Sequence, residues 1–203
     1  YNYSASRYSH GVSEIYYLTM KPEDSRRLPG GGWFSYLKGK SPSYPESILR
    51  RDLDRVRQRV AAMRADKTTP DTRLADDPMK YNPASVQSFV ELMMGGLQPN
   101  KQGLTLHCRL RYFDPIHRRA GIPTGVSALV HSMDDTQVKL TLVNTNQLKP
   151  ARVRVQAGGY AEHQFVGISI DGNASPVDSS FVDIRLSPGA GTTLVLQMKR
   201  YVN

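Results

Sequence analysis

The fold is decided by the stretch from Gln137 to Val202, which reads QVKLTLVNTNQLKPARVRVQAGGYAEHQFVGISIDGNASPVDSSFVDIRLSPGAGTTLVLQMKRYV. Five short runs within it alternate apolar with polar residues, and a period of two places one set on a single face of a strand. The apolar members of the runs are Val138, Leu140 and Leu142; Val153 and Val155; Val166, Ile168 and Ile170; Val182, Ile184 and Leu186; and Leu194, Leu196 and Met198. Turn-forming residues such as Gly158-Gly159 separate them. Such short, half-buried strands indicate an antiparallel sandwich or barrel, because these sheets bury one face against another.

The residues before this stretch favour helices. Pro45 begins a helix whose apolar positions recur at steps of four and three and form a narrow seam: Leu49, Leu53, Val56, Val60 and Met63. Asn82-Pro83 begins a second helix that ends at Gly95-Gly96, and Pro123 begins a third, short one. We therefore predict an α+β fold in which a helical N-terminal half packs on a C-terminal antiparallel β-sandwich.

Two units are predicted along the chain. Residues 1–103 form a mainly helical and irregular segment, which we interpret as the end of a larger module. Residues 104–203 form the sandwich together with the third, short helix. A strand from Leu104 to Phe113 would open the sandwich and carry a basic outer face made of His107, Arg109 and Arg111. Ile15 to Met20 predicts one further short strand.

The chain is basic, with 27 Lys and Arg against 18 Asp and Glu, which gives a formal net charge of +9. The excess is spread along the chain rather than gathered in a tail. It favours an anionic partner such as an acidic glycan, a membrane surface, an acidic protein or a nucleic acid, although a solvated surface without a partner explains it equally well. Nucleic acid ranks last, because the sequence has no recognisable reading motif and no aromatic–basic strand signature.

Cys108 is the only cysteine, so the sequence excludes an internal disulfide and a cysteine-based zinc site. No apolar run reaches the roughly 20 residues that span a bilayer. No signal peptide opens the sequence, which starts with Tyr1, and we interpret it as a processed chain or a fragment. We expect an extracellular or periplasmic location, with a cytoplasmic one as the alternative, and we predict no cofactor and no metal site.

The loop from Thr68 to Asn82 is the most chemically dense part of the sequence. Its candidate catalytic residues are Asp71, Arg73, Asp76 and Asp77. Asp71 with Asp76 or Asp77 would suit the acid/base pair of glycoside hydrolysis, because rigid loops often carry such groups. A structural role suits the same residues, with Asp71 and Asp77 capping turns and Arg73 tying the loop together. The sequence leaves open whether the chain is an enzyme.

A second candidate site follows the glycine triplet Gly30-Gly31-Gly32. A glycine triplet lets the backbone approach a ligand closely, and Trp33 and Tyr36 beside it would form a ligand-binding platform. The alternative is a surface loop with an aromatic anchor, which the absence of a phosphate-loop motif favours.

The C-terminal runs also resemble a known class of domain. The sequences VKLTLVNTN (138–146), RVRVQAG (152–158) and IRLSPGAGTTLVL (184–196) resemble the C-terminal β-sandwich of many bacterial glycoside hydrolases. In those domains one strand ends in an asparagine-containing turn, and the last hairpin has a Pro-Gly turn before the closing strand. Residues 137–202 carry the resemblance. It implies a non-catalytic sandwich that packs on a helical catalytic domain, with no catalytic residue inside the matching stretch.

Three hypotheses for the function follow. The first is the non-catalytic C-terminal portion of a secreted carbohydrate-active protein, in which the sandwich braces a helical module. The second is a structural subunit of an extracellular or particle-like assembly, which joins neighbours through sheet edges and the tyrosine-rich segment from Tyr1 to Tyr17. The third is a basic nucleic-acid-binding module. The expected partner is accordingly another part of a larger polypeptide or another subunit, together with an acidic glycan under the first hypothesis.

Overall fold

The computed structural model describes residues 9–28, 30–69, 87–97 and 106–202. It has an α+β fold in which helices pack on a C-terminal sandwich of two antiparallel sheets, as predicted. The four-stranded sheet has the order β2-β1-β5-β8 and the five-stranded sheet the order β3-β4-β9-β6-β7. The strands are β1 Leu110–Asp114, β2 Arg119–Ala120, β3 Val126–Met133, β4 Gln137–Asn144, β5 Ala151–Ala157, β6 Gln164–Ile170, β7 Asn173–Ser179, β8 Phe181–Leu186 and β9 Gly191–Lys199.

The core lies between the two sheets and is built by the predicted alternation. Val138, Leu140 and Leu142 of β4 are buried and their neighbours point outward. The same pattern holds for Val153 and Val155 of β5, where Arg152 and Arg154 take the outer positions. The inner residues of β9 are fully or almost fully buried as well. Burying this apolar surface is the main force that holds the two sheets together.

Strand β6 departs from the prediction at one position. A bulge between Phe165 and Gly167 leaves Val166 as the extra residue, so Phe165 rather than Val166 is fully buried. Beyond the bulge, Ile168 and Ile170 pack against the core as expected. A bulge reverses the inside–outside alternation on one side of it, which a strict period of two does not anticipate.

The helix predicted after Pro123 is wrong, because Val126–Met133 forms the strand β3. Val126, Leu129, Val130 and Met133 fit helical spacing, but pairing with β4 places Val126 and Val130 in the sheet interior. A second bulge, between Val130 and Ser132, accounts for the three-residue step from Val130 to Met133, whereas Leu129 lies on the opposite, partly buried face of the strand.

Five helices are described: α1 Ser9–Thr19, α2 Pro22–Ser25, α3 Gly32–Leu37, α4 Tyr44–Ala65 and α5 Gln87–Leu92. The short strand predicted over Ile15 to Met20 is wrong, since α1 occupies this place. Helices α3 and α5 pack against β3, and four helical residues, Trp33, Tyr36, Ile48 and Leu92, belong to the same buried core as the sandwich. The helices therefore cover one edge strand of the five-stranded sheet.

Helix α4 begins at Tyr44, next to the predicted Pro45, but it buries a different face from the predicted seam. Leu49, Leu53 and Met63 are exposed, whereas Ile48 and Asp52 are buried. The Asp52 carboxylate accepts hydrogen bonds from the backbone N–H and the hydroxyl of Ser88, at distances of 3.2 and 2.5 Å. This contact at the start of α5 fixes the rotation of α4, because a buried carboxylate must face its donors.

Candidate functional site

The most unusual contact in the fold joins helix α1 to the sandwich through two arginines. We call the contact of α1 with Arg109 and Arg200 the docking seam. Arg109 was predicted on a basic outer face, and this prediction is wrong because the side chain is fully buried. The chain bends at Arg109 before β1 begins, so its side chain lies under α1 while Arg111 faces outward.

The docking seam holds the carbonyl end of α1. Arg109 Nη2 donates to the carbonyl of Tyr17 at 3.2 Å. Arg200 follows the last strand, and it donates to the carbonyls of Leu18 at 2.7 Å and Thr19 at 3.4 Å. The last carbonyls of a helix lack partners inside the helix and carry the negative end of its dipole. Two guanidinium groups at this end therefore satisfy the orphan carbonyls and complement the dipole.

Tyr17 completes the docking seam from the helix side. Its ring lies 4.7 Å from the guanidinium carbon of Arg109, and its hydroxyl donates to the carbonyl of Gly95 at 3.0 Å. Burial raises the pKa of the Tyr17 hydroxyl, so it stays protonated and acts as a donor. One turn away, Glu14 Oε1 lies 3.1 Å from His107 Nε2. The described partners of the buried Arg109 guanidinium are thus the Tyr17 ring and the Tyr17 carbonyl, while its Nε and Nη1 have no hydrogen-bond partner among the described residues.

His163 lies beside the docking seam and is almost fully buried. Its Nδ1 accepts a hydrogen bond from the backbone N–H of Tyr201 at 3.1 Å, which leaves the proton of the neutral ring on Nε2. Burial lowers the pKa of His163; Arg109 and Arg200 lower it further, while Glu162 opposes the shift. The neutral ring therefore belongs to the native arrangement of the C-terminal residues.

A second candidate region is the outer surface of the four-stranded sheet, which we call the arginine face. Alternation on β1, β5 and β8 sends one set of side chains outward. Six arginines share this surface with two aspartates, Asp114 and Asp183: Arg111, Arg118, Arg119, Arg152, Arg154 and Arg185. Five of these arginines, all except Arg111, line two open grooves of about 640 and 560 Å³ that meet at Arg152.

Two carboxylates organise the arginine face. Asp183 accepts two hydrogen bonds from Arg154, at 2.8 and 3.0 Å, and one from Arg152 at 2.8 Å. The hydrogen bond from Arg154 is the largest reason that the pKa of Asp183 lies below its usual value. Burial alone would raise the pKa of Asp114, but hydrogen bonds from the His117 ring and from backbone N–H groups outweigh it and lower the pKa. Both groups are therefore charged at neutral pH.

The sequence contained a partial signal for the arginine face. Arg152 and Arg154 are the polar partners of Val153 and Val155, so the period of two already places them together outside β5. The pairing of β5 with β1 and β8 could not be read from spacing, and this pairing brings Phe113, Arg154 and Asp183 into one row. The sequence contains no such signal for the docking seam. Arg109 fits the alternation as an outer residue although it is buried, and Arg200 lies 182 residues from Leu18.

The predicted site residues fall into two groups. Trp33 and Tyr36 lie in α3 with exposures of 4% and 9%, and their rings stack on each other at 5.6 Å. Their burial assigns them to packing and leaves no open ring face for a ligand platform. The predicted catalytic candidates lie outside the described residues, so the structure describes no geometry for them: Asp71, Arg73, Asp76 and Asp77.

Cys108 is buried in the core, and burial raises the pKa of its thiol to about 12. The thiol is therefore protonated at neutral pH and unsuited to nucleophilic attack. Within the described ranges, no cluster of three His, Cys, Asp or Glu side chains could hold a metal ion. No helix in these ranges is both long and apolar enough to cross a membrane.

Comparison with known proteins adds one finding. The family model described as a domain of unknown function (DUF8034) matches residues 7–90, which run from just before α1 into α5. The match covers the helical segment and leaves the sandwich outside it. No curated protein and no solved structure shows significant similarity to the chain.

Proposed function

We propose that this chain is the non-catalytic C-terminal portion of a secreted carbohydrate-active protein similar to bacterial glycoside hydrolases, in which the sandwich braces a helical module. The observation that carries the proposal is the docking seam. Arg109 and Arg200, both outside the helical segment, supply the donors that complete α1. A helix of 11 residues is marginal alone, so its stability depends on what it packs against.

The shared core supports the same role. Residues of α3, α4 and α5 are buried in one continuous cluster with the strands, with Ile48 and Leu92 at 2% and 3% exposure. A helical segment that shares its core with a sandwich cannot unfold without exposing part of the sandwich. The sandwich thereby raises the free energy of opening of the helices it carries, which is what a brace does.

The proposal is tested on the native full-length protein. Its intact mass and its release of reducing sugars from polysaccharides are measured first, and then compared with the Arg200→Met variant and with Arg185→Met as a matched control on the arginine face. We expect a chain longer than 203 residues. Arg200→Met should lower the temperature at which activity is lost, but its turnover at about 20 °C should stay unchanged. Arg185→Met should change neither the inactivation temperature nor the turnover.

Two results would contradict the proposal. A native protein that consists of this chain alone and acts on no polysaccharide would remove the larger module that the sandwich is proposed to brace. A full-length protein whose thermal inactivation is identical in Arg200→Met and wild type would show that the docking seam contributes nothing to the module.

A further inference from the structure

We infer that the arginine face binds a linear acidic polysaccharide through the carboxylates of its uronic-acid units. This goes beyond the bracing role, and either proposal can hold without the other. The docking seam and the arginine face belong to different parts of the sandwich. The arginines of the face make no described contact with the helices.

The register of the strands arranges the arginines as a track across the sheet. Phe113 on β1 is opposite Arg154 on β5, and Arg154 is opposite Asp183 on β8. Two residues away along β5, on the same outer face, Arg152 is opposite Arg185. Neighbouring strands lie about 4.8 Å apart, so the guanidinium groups follow one another at short intervals. The two grooves meet at Arg152, which makes the track continuous across β1, β5 and β8.

The track has more donors than the protein provides acceptors. Asp183 forms ion pairs with Arg152 and Arg154, and Asp114 Oδ2 lies 3.6 Å from Arg119 Nε. Arg118 and Arg185, at opposite ends of the track, are exposed and have no carboxylate partner in the part of the chain that the structure describes. A ligand with carboxylates at both ends of the track would satisfy these donors, because a guanidinium binds a carboxylate through two parallel hydrogen bonds.

Arg111 and Arg154 are held in place before any ligand arrives. Arg154 lies over the ring of Phe181 at 4.2 Å and is clamped by Asp183, while Arg111 lies over the ring of Phe113 at 5.3 Å. A stacked guanidinium loses less conformational freedom on binding than a free side chain does. Stacking also exposes the edges of the guanidinium, where its N–H donors point.

The aromatic rings favour a glycan over a nucleic acid. Single-stranded nucleic acids bind by stacking bases on open aromatic rings. On the arginine face both phenylalanine rings already carry a guanidinium, so a base would have to displace Arg111 or Arg154. A polyuronate needs no stacking, since its carboxylates take the guanidinium edges and its sugar rings lie on the arginine stems and the exposed edge of Phe181.

The test is a titration of the chain with polygalacturonate by calorimetry, at low ionic strength and again at about 0.15 M salt. The variant Arg118→Gln/Arg185→Gln removes the two arginines without a carboxylate partner, and Lys40→Gln/Arg64→Gln removes the same charge from exposed positions on the helical side. We expect binding that weakens with salt, a loss of affinity of about tenfold or more in the face variant, and a change below about twofold in the control.

Three further titrations decide the chemistry of the ligand. Arg118→Lys/Arg185→Lys keeps the charge but loses the fork, and its affinity should fall by about threefold to tenfold. Dextran, which is neutral, should not bind. Arg200→Met should bind polygalacturonate as the wild type does. Loss of the Arg200 contacts would then leave glycan binding intact, so the titration tests the arginine face separately from the bracing role of the docking seam.

The proposal is overturned if the chain does not bind polygalacturonate at low salt, or if both glutamine variants weaken binding equally. It is also overturned if single-stranded DNA binds more tightly than polygalacturonate and is lost in the same face variant, since the face would then serve a nucleic acid. Circular dichroism of each variant establishes that it is folded, which is expected for the variants at Arg118, Arg185, Lys40 and Arg64 because these side chains are exposed.

Discussion

The docking seam and the arginine face use the same side chain in opposite ways. In the docking seam, Arg109 Nη2 and the guanidinium of Arg200 donate to the last carbonyls of α1, although Nε and Nη1 of Arg109 have no acceptor among the described residues. On the arginine face, Asp183 satisfies two arginines, while Arg118 and Arg185 have no carboxylate partner among the described residues. The first region is closed by a helix and the second is open to solvent.

The difference shows that burial and acceptors, rather than the arginine itself, decide what a positive charge does. A buried guanidinium must have acceptors from its own chain, because leaving it unpaired away from water is costly. An exposed guanidinium is satisfied by water and can exchange water for a ligand at little cost. Variants that perturb both regions equally would show that this comparison is wrong.

The largest expected effect comes from the ring beneath the buried guanidinium of Arg109, and a ring beneath a more exposed guanidinium serves as its comparison. Tyr17→Ala should lower the free energy of unfolding by about 3–5 kcal/mol, because it removes a buried ring and leaves a cavity beside Arg109. Phe181→Ala, beneath Arg154, should cost less than about 1 kcal/mol because Phe181 is 42% exposed. Urea denaturation measures the free energy of unfolding of both variants. Equal losses would contradict the proposed difference between the docking seam and the arginine face.

The next effect concerns Arg200, which follows the last strand, β9. Arg200→Met should lower the free energy of unfolding by about 1–3 kcal/mol, since it removes hydrogen bonds to the carbonyls of Asp135, Leu18 and Thr19. The control Arg185→Met should stay within about 0.5 kcal/mol of wild type. Hydrogen exchange should also show faster exchange in α1 for Arg200→Met only. Unchanged protection of α1 would mean that Arg200 does not hold the helix.

The two regions should also separate by pH. The folded pKa of His163 is lowered, so below the ordinary value of 6.5 the unfolded chain binds a proton that the folded protein does not. The docking seam therefore loses stability as the pH falls below about 6.5. The folded pKa of Asp183 is also lowered, but from 3.8, so the stability it contributes is kept until the pH falls below about 4.

Urea denaturation between about pH 7.5 and pH 5.5, which is about one unit either side of the histidine value, measures the histidine contribution. His163→Gln should reduce the slope of stability against pH, and His131, whose pKa is also lowered by burial, contributes to the slope that remains. Asp183→Asn should leave the slope in this range unchanged. If His163→Gln leaves the slope of stability against pH unchanged, a group other than His163 is responsible for that slope.

The smallest effect on stability is expected at the centre of the arginine face. Asp183→Asn should change the free energy of unfolding by less than about 1 kcal/mol, because its partners are partly exposed and screened by water. The same change releases Arg152 and Arg154 and removes a negative charge, so the affinity for polygalacturonate should rise by about threefold. Weaker binding would mean that the Asp183 clamp orients the arginines for the ligand and that its loss outweighs the gain in charge.

The sandwich was predictable because strand alternation is a local property. Val153 and Val155 point inward and their arginine neighbours outward in the structure, as the period of two requires. β3 was mistaken for a helix because a bulge between Val130 and Ser132 shifts the alternation and gives a three-residue step from Val130 to Met133. β7 was missed because it is a mostly exposed edge strand with almost no apolar residues. Local pattern fails where the buried face is interrupted or absent.

The two candidate regions were less predictable because each depends on residues that are distant in sequence. The arginine face needs the pairing of β1, β5 and β8, which spacing along the chain cannot supply. Arg109 occupies a polar position in an alternating run, and only the position of α1 explains why it is buried. Trp33 and Tyr36 were predicted as a ligand platform from composition, but neighbouring helices and strands cover them. The type of a side chain does not reveal which other parts of the fold cover it.

The Arg200 contact has a consequence for the order in which the protein assembles. The Leu18 carbonyl and the guanidinium that binds it are separated by 182 positions. A ribosome releases α1 early, yet the arginine that secures it emerges only after the last strand has been made. Contacts between such distant residues form late, because the intervening chain must first be closed into a loop. Gly95 and Arg109 emerge earlier and contact Tyr17, so we expect the contact of the helix with Arg200 to form last, as one of the final events of biogenesis.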